Sequence, residues 1–257
     1  MSSKTCLNCG HELSNNFCSF CGQKADTHRI TVKHFIQHDL LHGVFHLDKG
    51  ILFTIKETFT RPGKAAMDYI NGKRISYYNI FYLLLVLIGL NLVVVHYVEV
   101  FNDTALKLKV NKDGTKLYDF FNKNIKYIIL SFIPLFAING LILFRRLKLN
   151  FAEHHIIGGF VLLGCTIMAL LINLLGLLPI SWQESFFGYL ELALMFCLFV
   201  FPCYVYYMAF AQSYKIYGFI VRIILMYFFF IMQVVFLTLC IAAWLSKGSF
   251  EGEIKFA

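Results

Sequence analysis

The sequence predicts an all-α polytopic membrane protein, and three observations carry that prediction. The composition is far too apolar for a soluble domain, five apolar blocks are each long enough to cross a bilayer, and a polar, cysteine-bearing stretch precedes the first block. Of 257 residues, 58% are hydrophobic, 17% aromatic and 15% charged, whereas a soluble domain carries about 25% charged residues. Most of this surface has to meet lipid.

At the N-terminus, "CLNCG" and "CSFCG" set Cys6, Cys9, Cys18 and Cys21 in two Cys-x-x-Cys knuckles separated by eight residues, each with a Gly directly after its second Cys. Four thiolates at this spacing can close a tetrahedral Zn site without an open position, which is a structural arrangement and not a catalytic one. Two disulfides or an iron site are the alternatives. A module confined to residues 1–27 has no core of its own, so metal binding would supply its folding energy. Reduced thiolates argue for the cytosol. The other cysteines, Cys165, Cys197, Cys203 and Cys240, fall inside apolar blocks and read as small buried hydrophobes.

Residues 28–79 mix apolar and polar positions with a helical period, in blocks too short to span a membrane. Pro62 and Gly63 break the pattern and Gly72 ends a second piece. Lys49, Lys56, Arg61, Lys64, Lys73 and Arg74 stand against Glu57 and Asp68. Basic amphipathic helices beside a first span lie on an anionic membrane surface, so lipid headgroups are the expected partners and docking on the bundle is the alternative. Within this region "HFIQHDLLHGVFH" sets His34, His38, His42 and His46 four residues apart. On a helix they cover a sector of about 120°, which is too wide for all four to meet one ion. A polar face at headgroup level or in a subunit contact is the reading preferred over a proton sensor or a metal pair.

The order "CxxCG", "FCSFCGQK", "HRITVKHF", "DKGILFTIKETFTRPG", "YINGKR" and "YYNIFYLL", followed by several spans, resembles a family of uncharacterised zinc-ribbon membrane proteins, a domain of unknown function common in Bacteroidota. The resemblance covers residues 6–85, and the later spans match only in hydropathy. It places Arg29, Thr54, Arg61, Pro62, Gly63, Gly72, Lys73 and Arg74 in the family signature. It implies the bacterial inner (cytoplasmic) membrane with the zinc module in the cytosol, and it brings no activity.

Five spans are expected over residues 80–101, 125–144, 156–180, 186–210 and 217–245, followed by a short tail over 246–257. The N-terminus has no apolar signal segment, so residues before the first span are expected to stay cytoplasmic. The basic loop "RRLKLNFAEHH" (Arg145 to His155) then lies inside and the turn around Glu184 outside, as the positive-inside rule asks. The Lys-rich loop over residues 102–126 runs against it.

Within the spans, Asn91, Asn139, Asn173, Glu191, Arg222 and Gln233 are the polar residues. Intramembrane polar groups point to function, although amides also serve as helix–helix glue. Glu191 and Arg222 lie about one turn inside a span end, where snorkelling accounts for them. No phosphate loop, nucleophile elbow, dinucleotide fingerprint or paired carboxylates are present, so an enzyme is not expected. A pore or transporter regulated by the zinc head is the leading function class. A membrane-anchored scaffold or sensor whose head binds a protein partner is the second, with nucleic acid the less favoured partner, and a lipid-handling protein is the third. A homo-oligomer is compatible with each.

Overall fold

Apolar length and local stop signals decide where each helix lies in the computed structural model, which describes residues 5–25, 27, 29–30, 50–106, 116–178 and 186–245. Two short helices precede the membrane, α1 (Gly50–Thr60) and α2 (Pro62–Ile70). Pro62 opens α2, a position where its missing N–H costs nothing. The chain leaves α2 through Gly72 at φ +100°, a conformation that only glycine adopts without strain.

Five long helices follow: α3 (Ile80–Leu106), α4 (Lys116–Leu143), α5 (Phe151–Leu175), α6 (Phe186–Phe210) and α7 (Ile216–Leu245). All five are long and apolar enough to cross a membrane, and the described residues form no strand, only the isolated bridges Thr5–Glu12 and Phe17–Lys24. Two starts differ from the sequence expectation. Helix α4 begins at Lys116, ahead of its apolar block, so Lys123 and Lys126 sit on a helix and not in a loop. Helix α5 begins at Phe151 because Asn150 and Glu153 form a capping box: the Asn150 side chain accepts from the Glu153 N–H and the Glu153 carboxylate accepts from the Asn150 N–H. Residues 151–155 are thus the first turn of a span, not the end of a loop.

Helix α5 is the centre of the bundle. Of its apolar window 61% is buried, against 11–33% for the other spans, and it packs on α1, α2, α3, α4 and α6. Three glycines let these neighbours approach. A Cβ on Gly158 would stand 3.0 Å from the Ile133 carbonyl oxygen of α4, one on Gly159 3.3 Å from Ile80 of α3, and one on Gly164 2.2 Å from the Phe201 ring of α6. Helix α7 leans on α4 at the margin, and most of its apolar surface faces outward.

Because the chain crosses five times, Ile80, Leu143, Phe151, Phe210 and Ile216 lie together at the end that carries the N-terminal module, here called the near end. The core is densest there. Ile80, Leu84, Phe144, Ile156, Phe160, Leu163, Tyr206 and Phe210 are almost completely buried. Phe144 stacks on Phe210 with ring centroids 4.7 Å apart and tilts against Tyr206 at 5.2 Å.

Candidate metal centre and intramembrane cavity

The two knuckles repeat one backbone pattern. Cys6 N–H donates to the His11 carbonyl and Gly10 N–H to the Cys6 carbonyl; twelve residues on, Cys18 N–H donates to Gln23 and Gly22 N–H to Cys18. Gly10 and Gly22 carry φ of +76° and +75°, which turns each loop back over its sulfurs. The Sγ atoms of Cys6 and Cys21 are 3.6 Å apart, as are those of Cys9 and Cys18, and all four lie within 4.8 Å of one another. A tetrahedron with metal–sulfur bonds of about 2.3 Å has edges of about 3.8 Å. The cluster therefore could hold a metal ion, and at these separations the thiols are not disulfide-bonded.

The thiols are strongly unequal without a cation. Backbone N–H donation from Cys21, with help from Phe20, Cys9 and the Cys21 side chain, lowers Cys18 to about 6. Cys9 accepts from the His11 N–H, yet desolvation and the neighbouring Cys18, Cys21 and Cys6 push it up to about 12. Four thiolates at this spacing need a positive charge among them.

The module is fastened to the near end of the bundle at two places. Gln23, buried to 4% exposure, donates to the Gly72 carbonyl at 2.8 Å and accepts from the N–H groups of Arg74 and Ile75 at 3.2 and 3.3 Å. Arg29 then forks onto Glu153, Nε to Oε1 at 2.6 Å and Nη2 to Oε2 at 2.7 Å, and Nη2 also reaches the Lys148 carbonyl. The hydrogen bonds and charge of Glu153 raise the Arg29 pKa further, so the guanidinium stays charged. Asn150 adds a bond from its side-chain amide to the Ile30 carbonyl at 2.8 Å. One knuckle thus grips the turn between α2 and α3, and the segment after it grips the start of α5.

Helices α1 and α2 lie against the same end. Thr54, Glu57 and Thr58 of α1 are buried, and Gly63 touches backbone: a Cβ there would stand 2.2 Å from the Val205 oxygen and 2.3 Å from the Ala209 nitrogen of α6. Arg61 pairs with Glu57 and Asp68, and Lys73 pairs with Asp68. Burial, then the charge of Glu57, raises the Tyr77 phenol pKa; the neutral hydroxyl stands 3.5 Å from Glu57. Of the cations assigned to headgroups, Arg61 and Lys73 have partners within the chain, Arg74 donates to the Tyr69 carbonyl and covers its ring, and Lys56 and Lys64 are exposed. Lys49 and the stripe His34, His38, His42 and His46 lie outside the described residues.

The intramembrane amides form two separate pairs and do not converge on one interior. Asn173 donates to the Asn91 side-chain oxygen at 2.9 Å, and Asn91 donates to the Thr166 carbonyl at 3.0 Å, joining α3 to α5. Asn139 and Gln233 exchange two bonds of 3.0 Å between α4 and α7. Arg222 closes the open end of α4 by donating to the Leu143 carbonyl, with its guanidinium over Tyr214. Glu191 is half-buried on α6. Cys197 and Cys240 are exposed, contrary to the expectation of burial, because each lies on an outward helix face.

Sequence reasoning missed Glu153, His154 and Gln23 as site residues. The Asn-x-x-Glu spacing before an apolar run was a readable signal for Glu153. His154 is 1% exposed, its Nδ1 has no hydrogen-bond partner among the described residues, and Gly140 gives it room.

Away from the head, all five spans surround a cavity of about 1090 Å³. It takes in Ile88 to Val98 of α3, Asn122 to Phe136 of α4, Val161 to Asn173 of α5, Leu198 to Pro202 of α6 and Tyr227 to Ile231 of α7. These are the middle parts of α3, α4, α6 and α7 and the far part of α5, so the cavity lies in the middle of the bundle and toward its far end, while packed side chains fill the near end. Phe136 and Phe230, stacked at 4.5 Å, form its floor. The rim residues Phe199 and Ile231 are 62% and 56% exposed, which opens the cavity sideways between α6 and α7.

Fold and site together define a polytopic α-helical membrane protein with a four-cysteine head docked on a bundle that is closed at the near end and hollow in its middle. A family model described as "Protein of unknown function (DUF3667)" matches residues 48–90, the stretch from α1 through the first part of α3. No curated protein and no solved structure matches the chain.

Proposed function

We propose that this protein is a non-enzymatic, carrier-type membrane protein that admits a molecule into the middle of its bundle and is braced on the near side by a zinc-bound head. The observation that carries this is the one-sided cavity: about 1090 Å³ reached by all five spans, above a core of buried aromatic and branched side chains. A scaffold needs an anchor and no such space. An ion pore through one chain would need a hydrated path lined by converging polar groups, and the amides instead satisfy one another in two pairs. The lipid-handling reading gains where the pore reading loses. Among the described residues the lining has no carboxylate, ammonium or guanidinium.

Zinc is the metal proposed for Cys6, Cys9, Cys18 and Cys21, because a closed four-thiolate tetrahedron in a module without a core is what structural zinc stabilises. The proposed setting is the bacterial cytoplasmic membrane with the head inside. Its support is the resemblance described above and the cations Lys56, Lys64, Arg145, Arg146, Lys148 and Lys215 at the near end.

Thiol accessibility tests the carrier reading. Cys165 lines the cavity, whereas Leu163, on the same helix, is completely buried in the core and does not line it. In proteoliposomes a carrier cycle exposes Leu163→Cys to a maleimide for part of the time, with Cys165 replaced by Ala in the same protein. Complete protection of that thiol under every solute and lipid condition contradicts the carrier reading.

A further inference from the structure

We propose that the cavity binds a membrane amphiphile, a lipid of the far leaflet, whose hydrocarbon chain enters sideways between α6 and α7 and whose polar group stays at the far rim. This rests on the carrier reading for access and names the substrate class of that site.

The chemistry of the wall excludes other solutes. Deep in the cavity the polar atoms are already used: the Thr166 hydroxyl bonds to the Leu162 carbonyl, the Asn91 amide to Thr166 and Leu87, and the Tyr227 hydroxyl to the Phe199 carbonyl. What remains facing the space is hydrocarbon and ring, mainly from α3, α4 and α5. An ion placed there would lose its hydration without gaining a counter-charge, a penalty far beyond what apolar contact returns. A hydrocarbon chain loses nothing of that kind.

The cavity is longer than one leaflet is thick. From Asn122 at the far rim to Phe136 at the floor, α4 runs fourteen residues, or about 21 Å, against about 15 Å for half of a bilayer core, so a chain entering from the far leaflet fits along its whole depth with its end past the midplane. The rim differs from the floor in chemistry. His96 and Asn122 are exposed there, and the Asn173 side-chain oxygen stands beside them with its amide nitrogen bonded to Asn91. These groups can donate to or accept from an ester, hydroxyl or phosphate at headgroup depth, and Lys123 and Lys126 are exposed at the same end of α4. The lateral opening follows from how α6 and α7 meet. Phe199 stacks on Tyr227 at 5.1 Å, and on the far side of that bridge Met195, Phe196 and Ile231 are about half exposed or more. A chain already in the bilayer can pass there without crossing water.

Photolabelling decides the matter. The full-length protein is reconstituted in vesicles of phosphatidylethanolamine and phosphatidylglycerol containing a trace of phosphatidylethanolamine with a diazirine at mid-chain, irradiated, and its adducts are mapped by mass spectrometry. The expected result is adducts on Ile129, Phe132 and Phe230, cut about tenfold by Ala169→Trp and by Val95→Trp, with adducts on the outward-facing Leu192 unchanged. Adducts confined to Leu192, Ile224 and similar outward residues, or cavity adducts indifferent to both tryptophans, would overturn the proposal. If either variant fails to fold, the wild-type map alone decides between cavity and surface. Cavity adducts together with a permanently protected Leu163→Cys would keep the ligand and remove the carrier cycle; an accessible Leu163→Cys without cavity adducts would do the reverse.

Discussion

Gly63 has no room for a side chain at the junction between α2 and the bundle. A methyl group there meets the backbone of Val205 and Ala209 at 2.2 and 2.3 Å, and backbone cannot rotate away as a side chain can. Overpacking of this sort costs about 1–3 kcal/mol, so Gly63→Ala should lower the melting temperature in detergent by several degrees and loosen α2; an unchanged transition would place α2 off the bundle. At the cysteines, Cys18→Ser should lose zinc, measured by elemental analysis, with visible absorbance separating zinc from iron. Acid should weaken the site with a definite sign. Loading displaces the proton of Cys9, held near 12, at any ordinary pH, whereas Cys18, held near 6, adds a further displaced proton only as the pH falls through about 6. The fall of metal affinity with decreasing pH should therefore steepen below that value, and an unchanged slope would mean that Cys18 is not a ligand. The amide pairs are worth less. Asn139→Leu should cost roughly 0.6 kcal/mol, the average for an interhelical hydrogen bond in a membrane.

Among elements, the head and central helix behave as one unit because Gln23 holds the turn after α2 while Arg29 holds the start of α5. Removing the metal unties the knuckle that positions Gln23, so a chelator or Gln23→Ala should speed proteolysis between Asn71 and Asn79 without unfolding α3 to α7. Arg29→Ala should do the same at residues 145–150, since Glu153 is 2% exposed and loses its cation. Equal cleavage rates with and without metal would show that the head is not fastened to the bundle. Much of this architecture could be read in the chain. Apolar length located all five spans to within a few residues except where α4 and α5 start early, and the second of these exceptions carries its own signal in the Asn150–Glu153 capping box. The contacts could not be read. Gly63 looks like a helix breaker until α6 is placed beside it, 142 positions later at Val205. Arg29 reaches across 124 positions to Glu153, and no local pattern encodes such a pairing. The amides were visible as intramembrane polar residues, but whether they would converge or pair off depends on how the helices are rotated, which hydropathy does not fix.

For the whole molecule, the contrast between a packed near end and a hollow middle follows from where the large aromatics fall. Phe144, Phe160, Tyr206 and Phe210 occupy the near-end layer, whereas the far half of α6 turns Tyr189, Leu192 and Phe196 outward and leaves the space beside α5 unfilled. On the proposal above, lipid chains that reach its lateral opening fill this apolar-walled cavity, since water would gain few hydrogen bonds inside. Cryo-electron microscopy of the full-length protein in lipid nanodiscs distinguishes a hollow filled by an amphiphile from its alternatives. It should show a near end closed by Phe144, Phe160, Tyr206 and Phe210, with elongated density running from Phe136 and Phe230 toward Asn173. A continuous water-filled path from the head to the far side, or a hollow collapsed until α6 and α7 close over the space, would contradict the proposal.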